Sequence, residues 1–300
     1  MYEQIARNRR RSVLLVALAL LVAAGLGYVF GLLFQAGPAG VIVALGIAAF
    51  MSFTSYRYGD RLVLAVSRAR PAPREEYPRL HNVVEGLCIA SGLPKPAVYV
   101  VPEKAPNAFA TGRNPEHASI AVTEGLLETL NRVELEGVVA HELSHVKNRD
   151  ILVGTLVATL VGVVVLLSDW MMRALFWGGG LRGRRGRDGG GPMALLAVAG
   201  LVLAVLAPLF AQFIRFAVSR RREFLADADG AMMSRYPPGL ASALRKIAAS
   251  TAPMRVANNA TAHLWFSQPS RVPGEGWSRF ERLFSTHPPI EERIKALEEW

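Results

Sequence analysis

From Ser12 through Tyr56 the chain carries no charged side chain. A soluble helix of that length needs a solvated polar face, and none can be drawn here. Gly37-Pro38-Ala39-Gly40 splits the run into Val13–Phe34, long enough to cross a bilayer, and Val41–Tyr56, which borrows flanking residues to do so. The two read as a helical hairpin in a membrane. A cleaved signal peptide is the competing reading, but Val13–Phe34 exceeds a signal core and a second apolar stretch follows at once. Two further stretches, Ile151–Ser168 and Pro192–Ile214, suggest a second hairpin, the alternative being buried helices of a soluble domain. An apolar content of 51% and a mean hydropathy of +0.26 agree with a chain that spends much of its length in lipid.

Cations flank the first hairpin on one side only. Arg7, Arg9, Arg10 and Arg11 precede it, Arg57, Arg61 and Arg68 follow it, and the loop between its arms is uncharged, so both ends are expected to face the cytoplasm. The loop between the third and fourth apolar stretches disagrees, carrying Arg173, Arg182, Arg184, Arg185 and Arg187. Either the first helices dominate, or the second hairpin dips without crossing. The net charge of +10 sits largely in these juxtamembrane clusters, where anionic lipid is the simpler partner, and no nucleic-acid binding is expected. The single cysteine, Cys88, excludes an internal disulfide and fits a reducing compartment.

Between the hairpins, Arg68–Pro73 reads as a linker, Pro78–Ala90 as an amphipathic helix closed by Ser91-Gly92, and Ala97–Val101 and Ser119–Thr123 as strands. Asn107–Gly112 with the turn Arg113-Asn114-Pro115-Glu116 suggests a β-hairpin or meander. Asn131 caps a helix in the arrangement Asn131-Arg132-Val133-Glu134, and that helix is expected to run on into the third apolar stretch.

The same helix carries His141-Glu142-Leu143-Ser144-His145. An i, i+4 spacing stacks both imidazoles on one face, where they can hold a zinc ion. Glu142 can then take a proton from a water that the metal acidifies. Two histidines leave zinc under-coordinated, so another ligand must come from elsewhere. Glu223, in the charged stretch after the fourth apolar run, is the leading candidate; His263 and His287 are rivals. Asp227, one turn beyond Glu223, is placed to orient a ligand imidazole, with Asp229 and Asp150 as weaker alternatives.

The chain resembles the HtpX-type integral-membrane zinc metalloproteases, relatives of the CAAX prenyl proteases. The likeness rests on Asn107–Gly112 (NAFATG), Thr123–Leu127 (TEGLL), His141–His145 (HELSH), Arg222–Asp227 (REFLAD) and Thr286–Ile294 (THPPIEERI), and covers nearly the whole chain. It implies one zinc per chain held by His141, His145 and Glu223, with Glu142 as general base and Asp227 buttressing an imidazole. It also implies that Asn107, Ala108 and Phe109 form an edge strand that pairs with an extended peptide. His287 and Arg293 would lie near the site, where either could stabilise an oxyanion or hold the substrate backbone.

The expected fold is mainly α with a small β-sheet, a zincin-like catalytic domain interrupted by a transmembrane hairpin. Its segments are 1–58 (first hairpin), 59–150 (edge strand and motif helix), 151–219 (second hairpin) and 220–300 (third ligand and tail). The expected function is a zinc-dependent endopeptidase of the inner membrane, its site facing the cytoplasm, that removes unfolded or misassembled membrane proteins in a stress response. Cleavage of prenylated proteins and a non-enzymatic membrane zinc-binding role are the alternatives. Residues 251–275 carry no motif that can be read, and Asn258–Phe266 suggests a flap near the site.

Overall fold

The computed structural model describes residues 2–33, 37–160, 220–256, 261–267 and 288–299. The expected loop at 178–191, the apolar stretch 192–214, residues 161–168 and His287 lie outside them. What is described is mainly helical with one small mixed sheet.

The uncharged run forms two helices that pack on each other, α1 (Tyr2–Leu33) and α2 (Ala39–Val66). Both extend into the flanking arginines, so the cationic clusters sit on helix ends rather than in loops. Among the described residues α2 is the one helix scored as long and apolar enough to cross a membrane, with a mean hydropathy of 1.8 over its best 18 residues and 11% of that window buried. A soluble core helix would be covered, whereas Ile42, Phe50 and Phe53 lie exposed.

β1 (Arg70–Pro71), β2 (Ala97–Val101), β3 (Ala108–Gly112) and β4 (Ala118–Thr123) pair in the order β1-β2-β4-β3, with β2 and β4 parallel and the other pairs antiparallel. The expected linker is corrected here: Arg70 and Pro71 add a short edge strand to β2, and a proline is tolerated there because an edge need not donate on its outer side. β3 and β4 form the anticipated hairpin. Its Gly112 has φ +142°, and a Cβ there would lie 2.3 Å from the His117 carbonyl oxygen, so only glycine fits. That hairpin leaves β3 as the other edge of the sheet.

Three helices cover the sheet and each other. α3 (Pro78–Ser91) ends at Gly92, φ +69°, as Ser91-Gly92 suggested. A short α4 (Glu124–Thr129) is capped by the Thr123 hydroxyl and leads to α5 (Arg132–Lys147). Asn131 and Glu134 form both halves of a capping box at the start of α5, and Leu135, Val138, Val139, Leu143 and Val146 bury its body completely. α5 does not continue into the next apolar stretch. Asn148 closes it, Arg149 takes φ +58°, and a separate helix α6 (Asp150–Leu160) starts in a new direction. α7 (Arg220–Ser234) and α8 (Pro237–Ala249) then pack on α5, and α9 (Ile290–Glu298) packs on both.

Candidate metal centre

The site lies where α5 and α7 come closest. A Cβ on Gly230 would stand 2.9 Å from the His141 amide nitrogen, so the two backbones approach as only glycine allows. Glu223, Asp227 and Gly230 share one face of α7 at i, i+4, i+7, and that close approach turns both carboxylates toward the imidazoles of α5.

His141 Nε2 and His145 Nε2 are 3.2 Å apart, and Glu223 Oε2 and Oε1 lie 3.9 and 3.7 Å from them respectively. One ligand atom from each of the three residues falls within 4.8 Å of the others. The outer nitrogens are each held by a carboxylate: His141 Nδ1 is 2.9 Å from Asp227 Oδ1, and His145 Nδ1 is 3.1 Å from Asp150 Oδ2. Those contacts fix protons on Nδ1 and leave both Nε2 lone pairs converging on the Glu223 carboxylate. Lone pairs and a carboxylate facing one point repel unless a cation or proton lies between them. The residues therefore fit a divalent metal ion.

The electrostatics are divided between the two histidines. Burial disfavours the His141 cation and pulls its pKa down to about 4, against the opposing pull of Asp227. Burial acts likewise on His145, but the hydrogen bond to Asp150 and the charges of Glu223 and Glu142 outweigh it and raise the pKa to about 9. Glu142 is 2% exposed, and burial, with Glu223 adding to it, pushes its pKa up to about 7. The Ala110 amide of β3 donates to its carboxylate and ties the motif helix to the edge strand.

Arg293 is completely buried. Its Nε and Nη2 donate to the Asp227 oxygens at 2.8 and 2.7 Å, and its Nη1 donates to the Phe266 carbonyl at 3.0 Å. Its guanidinium is thus committed to Asp227 and the 261–267 segment, with Nη2 also 3.4 Å from His141 Nδ1. His263 bonds the Gly154 carbonyl at 3.1 Å and is not in the ligand cluster, and Asp229 meets Ser144 and Asn148 rather than an imidazole.

The segment that carried no readable motif turns out to border the site. Trp265 is buried edge-on against Phe109, at 4.7 Å between ring centroids, and Phe266 packs edge-on against the His141 ring at 4.9 Å. Asn107 bonds the Ser267 backbone twice, at 2.9 and 3.1 Å, and the Phe266 amide donates to the Ala108 carbonyl at 2.7 Å. The Asn107–Ala108 end of the edge strand is therefore paired within the chain. The cavity over the metal ligands measures about 50 Å³, room for a few waters and not for a peptide. The expected flap near the site is thus placed by its Trp265 and Phe266, whose individual partners had no signal in the sequence because they lie across long chain separations.

A helix offering two imidazoles and a carboxylate, with another carboxylate from a separate helix, defines a metallohydrolase of the zincin kind. The chain belongs to peptidase family M48, whose profile matches residues 74–300, and it is a metalloendopeptidase. It is 47% identical to a protease HtpX homolog of Thermoanaerobacter pseudethanolicus over 99% of this chain and 97% of that one. It is 46% identical to a protease HtpX homolog of Pyrococcus furiosus over 96% and 94% respectively. It is also similar to the crystal structure of S. mikatae Ste24p, at 17% identity and a TM-score of 0.48, over 99% of this chain and 67% of that one. The family resemblance drawn from the motifs is thereby borne out.

Proposed function

We propose that this chain is a multi-pass, zinc-dependent endopeptidase of the inner membrane that hydrolyses peptide bonds of misfolded or damaged membrane proteins from the cytoplasmic face, in proteolytic quality control under stress. The observation that carries it is the convergence of His141 Nε2, His145 Nε2 and Glu223 beside the buried carboxylate of Glu142. Zinc is favoured by the donor set, two imidazole nitrogens and one carboxylate, and by the 3.2 Å between the nitrogens. A tetrahedral zinc site with usual bond lengths separates its ligand nitrogens by about 3.4 Å.

When bound, the ion supplies Lewis acidity, which acidifies a water and polarises the scissile carbonyl. Glu142 takes the proton of that water on a carboxylate oxygen and later delivers it to the leaving amine; burial, which raises its pKa, makes it a better base for the first transfer. The Ala110 amide keeps the carboxylate oriented. Asp227 and Asp150 hold the Nδ1 protons of the ligand histidines, and Arg293 keeps Asp227 ionised and in place. An extended substrate pairs with the edge strand at Asn107, Ala108 and Phe109, which requires the Phe266 amide to leave the Ala108 carbonyl. His287 is assigned to the developing oxyanion by resemblance alone.

Two features support the membrane setting. α2 presents its apolar face uncovered, and the metal site lies at the arginine-rich ends of the first hairpin, where Asn8 of α1 meets Asp150 and Ser55 and Gly59 of α2 meet α6. Those ends are the cytoplasmic ones by charge. The proposal divides the chain into 1–58 (first membrane hairpin), 59–150 (edge strand and motif helix), 151–219 (second membrane hairpin) and 220–300 (third ligand and tail). Cleavage in proteoliposomes tests the reading: the wild type should cut an unfolded membrane protein, a chelator should stop it, and a prenylated peptide should not outcompete that substrate. Wild-type cleavage by Glu142→Gln would sink the proposed chemistry.

A further inference from the structure

Asp150, which holds a ligand histidine, is itself held from the first hairpin. Asp150 reaches back to His145 because Arg149, at φ +58°, breaks the chain between α5 and α6 and turns the aspartate toward the imidazole five residues before it. One oxygen, Oδ2, faces His145 Nδ1 at 3.1 Å. The other, Oδ1, accepts from Arg222 Nη1 of α7 at 3.2 Å and from the Asn8 side-chain amide of α1 at 2.6 Å.

Asn8 is built in for this contact. It is 3% exposed, and its amide nitrogen spends both hydrogens, one on Asp150 and one on the Asn148 carbonyl at 2.9 Å. Its own oxygen, Oδ1, is buried without a partner. Flipping the amide would turn that oxygen onto two acceptors, so the donors must face Asp150. A buried carbonyl left unsatisfied is a cost that folded chains rarely accept unless the rest of the group is needed where it is.

We infer that Asn8 is a positioning residue of the metal centre, and that the first hairpin, beyond anchoring the chain, fastens the Asp150–His145 pair in register with the incoming cation. A carboxylate rotates freely about two side-chain bonds. With Oδ1 pinned from α1 and α7, Oδ2 is left facing Nδ1, which fixes the ring so that Nε2 points inward. The inference rests on reading His141, His145 and Glu223 as the metal ligands.

The test is zinc affinity of the metal-stripped full-length protein in detergent, by competition with a chromophoric chelator, alongside thermal unfolding. Asn8→Leu keeps the branched heavy-atom shape, though with bulkier methyls, and deletes both donors, Asn8→Ala deletes the donors without adding bulk, and Leu15→Ala removes a buried side chain from the same helix. Both Asn8 variants should bind zinc about tenfold more weakly, the lower end of what losing a partner outside the ligand set costs. Leu15→Ala should lower the unfolding temperature and leave zinc affinity unchanged. In an Asp150→Asn background, Asn8→Leu should change affinity by less than about twofold, since the two act as one unit. Wild-type affinity in Asn8→Leu, or an equal loss in Leu15→Ala, overturns the inference while leaving the metal site standing. Absence of zinc binding by the wild type overturns both, and Glu223→Ala serves as the reference for that outcome.

Discussion

Gly230→Ala puts the geometry of the site to a direct test. The added methyl would meet the His141 amide nitrogen at 2.9 Å, its Cα at 3.0 Å and the Ala140 carbonyl carbon at 3.3 Å, all backbone atoms of a fully buried helix that cannot rotate aside. Ordinary contact begins at 3.4 Å, so α7 must withdraw from α5 by about 0.5 Å or more. Alanine gains about 1 kcal/mol over glycine in helix propensity, while overpacking of this kind costs about 1–3 kcal/mol. The net is zero to moderate destabilisation, and the fold should survive. The metal site should not be so tolerant, because ligand distances must hold to about 0.2 Å and Glu223 rides on the displaced helix. Zinc affinity by chelator competition should fall at least about tenfold. Gly86→Ala, in α3 with nothing within 4 Å of the new methyl, is the control and should leave affinity intact. Wild-type affinity and turnover in Gly230→Ala would refute the argument that the α5–α7 approach sets the ligand geometry.

Three other outcomes follow from the same structure. Burial raises Glu142, so below its pKa the base is protonated and idle; kcat/KM should climb about tenfold per pH unit on an acid limb at or below about pH 7, since a bound cation can only lower that value. Turnover by Glu142→Gln with the wild-type acid limb intact would remove Glu142 from the proton path. Arg293→Met leaves the Asp227 carboxylate buried without its partner, a loss of about 3–5 kcal/mol that thermal unfolding will report; an unchanged unfolding temperature would show that the pair is not a structural keystone. Trp265→Ala unseats the segment paired with Ala108, so peptide cleavage should accelerate even as stability drops by about 3–5 kcal/mol; slower cleavage at full zinc occupancy would show that the segment helps hold substrate rather than cover the edge strand.

What was legible in the sequence was local. The charge-free run, the capping box of Asn131 and Glu134, the Gly92 terminator and the stacking of His141 with His145 each follow from a few neighbouring residues, and each is where the spacing puts it. The break after α5 was not legible, because Asn148-Arg149 carries neither glycine nor proline, yet Arg149 takes φ +58°. β1 was mistaken for a linker because two residues hold no period; the open side of β2 recruits them. Arg293 was expected near the metal and lies beside His141, while its partners, Asp227 and the Phe266 carbonyl, come from two other segments and could not be read from any one. Asn258–Phe266 was read as a flap near the site, but the partners of Trp265 and Phe266 were not legible, because they come from β3 and α5 rather than from the segment's own pattern.

The central claim is that a single ion is gripped by His141, His145 and Glu223. Zinc content per chain, measured on detergent-purified wild type and Glu223→Ala after equilibration against a weak chelator, tests it most directly. The account predicts one zinc per chain in the wild type and a large deficit in the variant. A Glu223→Ala protein that keeps one zinc at wild-type affinity would contradict it.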